Sequence, residues 1–355
     1  MKELIVEITR TLLSKNIGFC LYRFPSEDYL RLAVESNFVP DEETMKFWIA
    51  PFTKDSMAGD FYLSAIDGKY INNTFLERLQ SLPKEKLGQT DLPKETSRKE
   101  YFEQIEQYLS DIREGKLDKA ILSRVVYSPK PKNFDVLSCF DRIESAYPKA
   151  LTYVFYHRES GLWMGATPEL LLKKQGENVF TIALAGTQVR REDGEYHWRE
   201  KEIDEHEWVS DHIASVFSKQ RYILAQREER RTVESGPVAH LETAFRFKAQ
   251  SDSSSLQQLI AQLHPTPAIG GWPVEASLQC IRQYESYDRK YYAGILGEWK
   301  GEEQANLYVN LRCMQIGADK IAIFVGGGIT AASDPEEEWE ETCIKSRTMA
   351  DKILI

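Results

Sequence analysis

Apolar residues along the chain follow two periods, and the switches between them map its elements. Near the start Leu4, Ile5, Ile8 and Leu12 recur at helical spacing, and residues 18–22 read as a strand. Residues 81–99 turn polar, rich in Pro, Lys, Glu, Gly and Thr, and read as a linker. Phe102, Ile105, Tyr108, Leu109 and Ile112 then share one face of a helix over 101–112, closed by Gly115. Strand patterns follow at 119–127, 151–157, 162–165, 170–174 and 179–185. Their spacing leaves no room for helical crossovers, so antiparallel neighbours are expected. A polar helix is predicted over 195–220 and a shorter one over 256–263, with strands at 238–247, 291–299, 304–314 and 321–325. Strand blocks with interspersed helices make an α+β protein. A motif-poor part at 1–90 precedes a core at 91–355, and the two can form one structural domain.

Composition narrows the function classes. With 355 residues the chain can bury a sizeable core. A formal net charge of -10 leaves no basic surplus for a phosphate backbone, which argues against nucleic acid. An anionic small molecule remains compatible if the site supplies local cations or a divalent metal. Five cysteines without a CxxC pair suit reduced thiols better than disulfides or zinc. The opening residues lack the long apolar run of a signal peptide, and no stretch approaches the ~18 apolar residues of a membrane span. These features lead to the expectation of a soluble, cytoplasmic monomer with no membrane partner.

The stretch 320–345 gathers the most chemistry. It reads as a strand, a loop of three glycines, a capped turn and an acidic helix. Gly326 to Ala331 fits a loose G-x-G-x-x-A, yet the acidic helix start would repel a pyrophosphate, and no GK[ST] makes a P-loop. Two readings stay open: glycines that turn a tight corner, or bare amides facing an anion. Ser333 and Glu336 form a capping box, and Pro335 suits a first turn. Glu338, Glu341 and Lys345 share a helix face, which suits either a solvated surface or a site. In the 195–220 helix, Glu205 lies on the apolar stripe with Val209, His212 and Val216. A carboxylate there needs a partner or a metal, and glutamates on two helices suit Mg²⁺. His206 and His212 are spaced wrongly for a shared zinc. Lys119 starts a strand and Glu169 follows Thr-Pro in a turn; each alone suits ordinary polarity as well as function. Ser123 and Ser235 lack a nucleophile elbow.

Taken together, LDKAILSR, GATPELLL, ALAGT, KEIDEHEWV, VAHLETAF, LHPTPAIGGWP, YDRKYYAGILGEW, LRC and the glycine–glutamate stretch resemble the chorismate-utilising enzymes, in that family's order over about 98–352. The HPTPAIGG loop is similar to that of their isochorismate synthase branch. The resemblance implies two large, mostly antiparallel sheets packed as a sandwich, with helices outside. It implies Mg²⁺ on Glu205 and Glu341, with Glu338 close by. Arg312, Lys345 and the amides of Gly186, Gly326 and Gly328 would receive substrate oxygens, with Thr187, His240, Ala268, Ile269 and Leu311 also contacting chorismate. Lys119 would be the base that activates water, its pKa lowered by desolvation and the metal, and Glu169 the acid, its pKa raised by burial. The implied reaction is isomerisation of chorismate to isochorismate. Relatives that make salicylate or aminated chorismate, and a non-catalytic binding homologue, are the alternatives.

Overall fold

The computed structural model describes residues 2–39, 45–86, 90–235 and 238–353, with the Ser235 side chain and linker residues 87–89 outside the described part. Among the described residues the chain forms eight α-helices and seventeen strands. The order begins α1 (Lys2–Ser14), β1 (Phe19–Arg23), β2 (Arg31–Val34), β3 (Lys46–Ala50), β4 (Phe61–Ala65), α2 (Asn73–Gln80), α3 (Arg98–Arg113) and β5 (Lys119–Pro129). Next come α4 (Val136–Ala146), β6 (Leu151–His157), β7 (Gly161–Thr167), β8 (Leu170–Gln175), β9 (Asn178–Val189), α5 (Glu200–Lys219), β10 (Ile223–Arg227), β11 (Arg231–Ser235) and β12 (Val238–Lys248). The chain continues through α6 (Leu256–Leu263), β13 (Gly271–Trp272), α7 (Val274–Tyr284), β14 (Ile295–Lys300) and β15 (Gln304–Val309). It closes with β16 (Cys313–Ile316), β17 (Lys320–Thr330) and α8 (Pro335–Ile353).

All pairings are antiparallel and sort the strands into two sheets. One runs β4, β3, β14, β15, β8, β9, β12 and the edge strands β10 and β11. The other runs β2, β1, β6, β7, β16, β17, β5 and β13. A short β2–β4 pairing joins them at one corner. The period-2 side-chain alternation of each strand then divides its residues between two cores. Tyr22, Phe155, Trp163 and Phe324 join a core between the sheets that continues under α3, α5, α6 and α7, where Tyr22 meets Phe47 of the opposite sheet at 4.4 Å. Their neighbours Leu21, Val154, Met164 and Ile323 face outward, into a second core under α1, α2, α4 and the end of α8.

Several boundaries differ from the sequence expectation for physical reasons. The three glycines are not a loop: Gly326, Gly327 and Gly328 continue β17, paired with Ser123, Leu122 and Ile121 of β5. Glycine's poor strand propensity hides this in the sequence. The cap of α8 is Asp334, whose Oδ1 accepts from the amides of Glu336 and Glu337, while Ser333 Oγ donates to Glu338 at 2.6 Å. The expected strand at 304–314 is broken at Arg312, which sits at φ 47° between β15 and β16. The expected strand at 291–299 starts only at Ile295, after positive-φ Lys290 and Ala293. Helix α5 starts at Glu200 rather than 195, with Glu202 accepting from the Arg199 amide at 2.9 Å.

Candidate active site

Two connections cross between the sheets at the same end of the sandwich. Thr167–Leu170 passes from β7 to β8, and Val309–Cys313 from β15 to β16. Glu169 lies on the first and Arg312 on the second. The Val309 amide donates to Glu169 O and the Ala166 amide to Arg312 O, so the two crossings are stitched together. Beside them β16 ends while β17 runs on, leaving the β17 edge open from Val325 onward. Lys345 Nζ donates to Gly326 O at 2.9 Å on that open edge. Gly328, two residues further, points its amide the same way.

Around this opening lies a cavity of about 200 Å³. Its wall includes Lys119, Glu169, Gly186, Thr187, Glu205, His240, Ala268, Ile269, Leu311, Arg312, Gly326, Gly328, Glu338, Glu341 and Lys345. Residues from both sheets, α5, α8 and the loop before β13 thus meet in one place.

The glycines make room for specific neighbours. A Cβ on Gly328 would fall 2.7 Å from Lys119 Cε, and one on Gly326 would fall 2.9 Å from the Tyr292 hydroxyl. A Cβ on Gly327, on the opposite face of β17, would lie 3.0 Å from Glu338 Oε2 and 4.0 Å from Glu341 Oε1. Gly186 is the extra residue of a β-bulge, since His240 pairs with Thr187 while Leu241 pairs with Ala185. Its φ of 69° suits only glycine comfortably, and a Cβ there would sit 3.0 Å from the Glu202 carbonyl. The His240 ring donates from Nδ1 to Gly186 O at 3.0 Å, and burial keeps the imidazole neutral by lowering its pKa to about 4.

Charges pair across the cavity. Lys119, 2% exposed, holds Glu205 at 3.2 Å. Lys201 reaches Glu338 at 3.3 Å and Ser333 at 3.4 Å, and Lys345 reaches Glu341 at 2.5 Å. Burial pushes Glu338 up, and the neighbouring Glu341 adds to this against the pull of Lys201. Burial also opposes the charge on Glu341, but Lys345 outweighs it and leaves that carboxyl below its ordinary range. Desolvation raises Glu169 to about 7, with Arg312 and Lys119 resisting only in part. Burial lowers Arg312 from its ordinary value. His212 donates to Leu263 O at 3.2 Å and takes no part in the cavity.

Among the described residues, no group of three or more His, Cys, Asp or Glu is gathered into a ready metal cage. Glu338 and Glu341 nevertheless offer hard oxygen donors around the space left by Gly327, and Glu205 lines the same cavity, a donor set that fits Mg²⁺ better than a softer metal. Sequence reasoning missed Lys201, which lies one helical turn before Glu205, and Arg199 and Glu202, which line the same cavity. It also missed Tyr292 and Arg289, which line the cavity within the quoted YDRKYYAG segment. The i, i+4 spacing of Lys201 and Glu205 was the available signal.

Among the described residues no helix is long and apolar enough to cross a membrane. A family model described as "Chorismate binding enzyme" matches residues 59–354. The isochorismate synthase EntC of Escherichia coli (strain K12) is 33% identical over 242 residues, covering 66% of this chain and 61% of that protein. The match therefore spans less than two thirds of that relative's length. A crystal structure of a putative 2,3-dihydroxybenzoate-specific isochorismate synthase, DhbC from Bacillus anthracis, superposes with a TM-score of 0.75 at 21% identity. That superposition covers 98% of this chain and 99% of the other. The menaquinone-specific isochorismate synthase MenF from Escherichia coli superposes with a TM-score of 0.75 at 18% identity, covering 96% and 90%. At these identities the likeness shows a shared α+β fold.

Proposed function

The chain belongs to the chorismate-binding enzyme family, and on that premise we propose that it is an isochorismate synthase, moving a hydroxyl from C4 to C2 of chorismate. One observation carries the reading. A buried lysine at the start of β5 and a carboxylic acid with a pKa of about 7 on the β7–β8 crossing face the same cavity. The reaction needs such a pair. Water adds to C2, the ring double bonds shift, and the C4–O bond breaks. One group takes a proton from the attacking water and another gives a proton to the departing oxygen, so a water enters and a water leaves.

Lys119 takes the proton. The space over Gly328 and the contact with Glu205 direct its Nζ into the cavity. Glu169 gives the proton, and its raised pKa keeps a useful acid fraction at neutral pH. Each such contribution is typically ~10²–10⁴-fold. Arg312 supplies a planar guanidinium for the side-chain carboxylate, and the open amides of Gly326 and Gly328 complete the anion site. Ala268, Ile269 and Leu311 form the apolar wall against the ring. Neutral His240 braces the Gly186 bulge and shapes the wall beside it. Glu205, Glu338 and Glu341 would hold Mg²⁺, which when bound neutralises the ring carboxylate. The five free cysteines suit a reducing cytoplasm, where the protein works as a monomer.

The deciding experiment incubates the purified protein with chorismate and Mg²⁺, with and without ammonia, and identifies the products. Isochorismate is expected. Salicylate with pyruvate, or an aminated product, would sink the assignment, and bound but unturned chorismate would favour a non-catalytic binder.

A further inference from the structure

Strand β5 carries Lys119, and one of its edges is unusual. Along one side β5 pairs with β17 over its whole length, but on the other, among the described residues, the strand it meets is the two-residue β13, at Lys119 and Ala120. The next groups on that edge belong to Ile121 and Ser123, beside the loop that supplies Ala268 and Ile269. Backbone groups left unpaired there would be costly. The Ile121 amide finds Gly270 O at 3.1 Å, and no strand continues further.

An ion pair stands in for the missing strand. Arg289 Nη2 donates to Ile121 O at 2.7 Å, while Glu285 Oε1 accepts the Ser123 amide at 2.7 Å and its hydroxyl at 2.8 Å. The two side chains, each 2% exposed, bind one another twice, at 2.8 and 2.6 Å. Arg289 Nη1 also donates to Ile269 O at 3.1 Å, and its guanidinium lies 4.4 Å from the Phe52 ring centroid. One donor and one acceptor side chain thus reproduce the hydrogen bonds a neighbouring peptide would make. The same guanidinium ties the Lys119 strand to the loop that faces the substrate.

We propose that Arg289, held by Glu285, is a positioning residue that fixes the placement of Lys119 relative to the Ala268–Ile269 wall. It acts through the carbonyls of Ile121 and Ile269 and not through contact with reacting atoms. The proposal rests on Lys119 being the proton acceptor. A planar fork is required because the arginine must meet a carboxylate and two carbonyls at once, which a single ammonium cannot do.

The test uses the full chain and begins with wild type. If it makes no isochorismate, the reading of the site fails and the brace fails with it. Given turnover, Arg289→Lys and the paired change Glu285→Leu with Arg289→Met are compared with it. The paired change removes both charges together, so no buried charge is left unmatched, and circular dichroism verifies that the variant folds. In both, kcat should fall by about 100-fold, the scale of an ångström-sized misplacement. Chorismate Kd should stay within about threefold, since the residues assigned to chorismate are unchanged. Glu285→Gln, which keeps an acceptor oxygen for the Ser123 amide, should retain more kcat than the paired change. An unchanged kcat in either variant overturns the brace while leaving the reading of the site intact. So does a kcat loss matched by an equal loss of chorismate affinity, which marks general damage to the pocket.

Discussion

Gly328→Ala tests the link between the glycine strand and the base directly. Gly328 is absent from the positive-φ positions, so alanine can adopt its backbone without strain. The new methyl would lie 2.7 Å from Lys119 Cε, whereas ordinary contact begins near 3.4 Å. Cε must therefore retreat by about 0.7 Å, the difference between these distances. Lys119 is 2% exposed and has little room to absorb the shift without moving Nζ off Glu205, now 3.2 Å away. A misplacement approaching an ångström at a reacting group costs about 100-fold. We expect kcat to fall by about that factor, with chorismate Kd, measured by fluorescence titration, within about threefold of wild type. The thermal midpoint should barely move, because the collision is with a flexible side-chain end. A kcat within threefold of wild type would refute the reasoning, as would a loss explained by unfolding.

Three further outcomes follow from the same geometry. Glu169→Gln should cost ~10²–10⁴-fold in kcat. In wild type the working form is protonated, so the rate should decline as pH rises through about 7, and the variant should lose that limb. Because the folded pKa lies above the unfolded value, Glu169 destabilises the fold increasingly between about 4.5 and 7; Glu169→Gln should gain stability relative to wild type at pH 8 and not at pH 4 in urea titrations. Glu341→Gln should weaken Mg²⁺ binding in calorimetric titration, and an unchanged isotherm contradicts its assignment as a ligand. Gly186→Ala should destabilise by roughly 1–2 kcal/mol in denaturant, since its φ of 69° and the Glu202 carbonyl both oppose a Cβ; a loss below about 0.5 kcal/mol would show that the bulge yields.

How legible the molecule is in its sequence depends on whether a residue's role is local. The 151–157 strand is read to the residue, because Tyr153 and Phe155 alternate with Val154 and Tyr156 between two cores and all four are apolar or aromatic. Glu205 stands out because it interrupts an apolar helical stripe. The glycines of β17 mislead, since a strand whose side chains are missing carries no period-2 signal, and their purpose lies in Lys119, Tyr292 and Glu338 on other elements. Arg312 is similar: a positive φ is invisible in a sequence of apolar residues around it. Lys201 and Arg289 look like ordinary charges, and only the folded chain shows which carboxylate or carbonyl each one meets.

The two crossings that bear Glu169 and Arg312 belong to neither sheet alone, whereas Lys119 rides on β5, within one sheet. The distance from the proposed acid to the proposed base therefore depends on how the two layers pack. A packing change deep between the layers, such as trimming Phe47 where it meets Tyr22, has no contact with substrate. On the proposed roles it would still be read out at that end, as slower turnover in a protein whose pocket residues are all present.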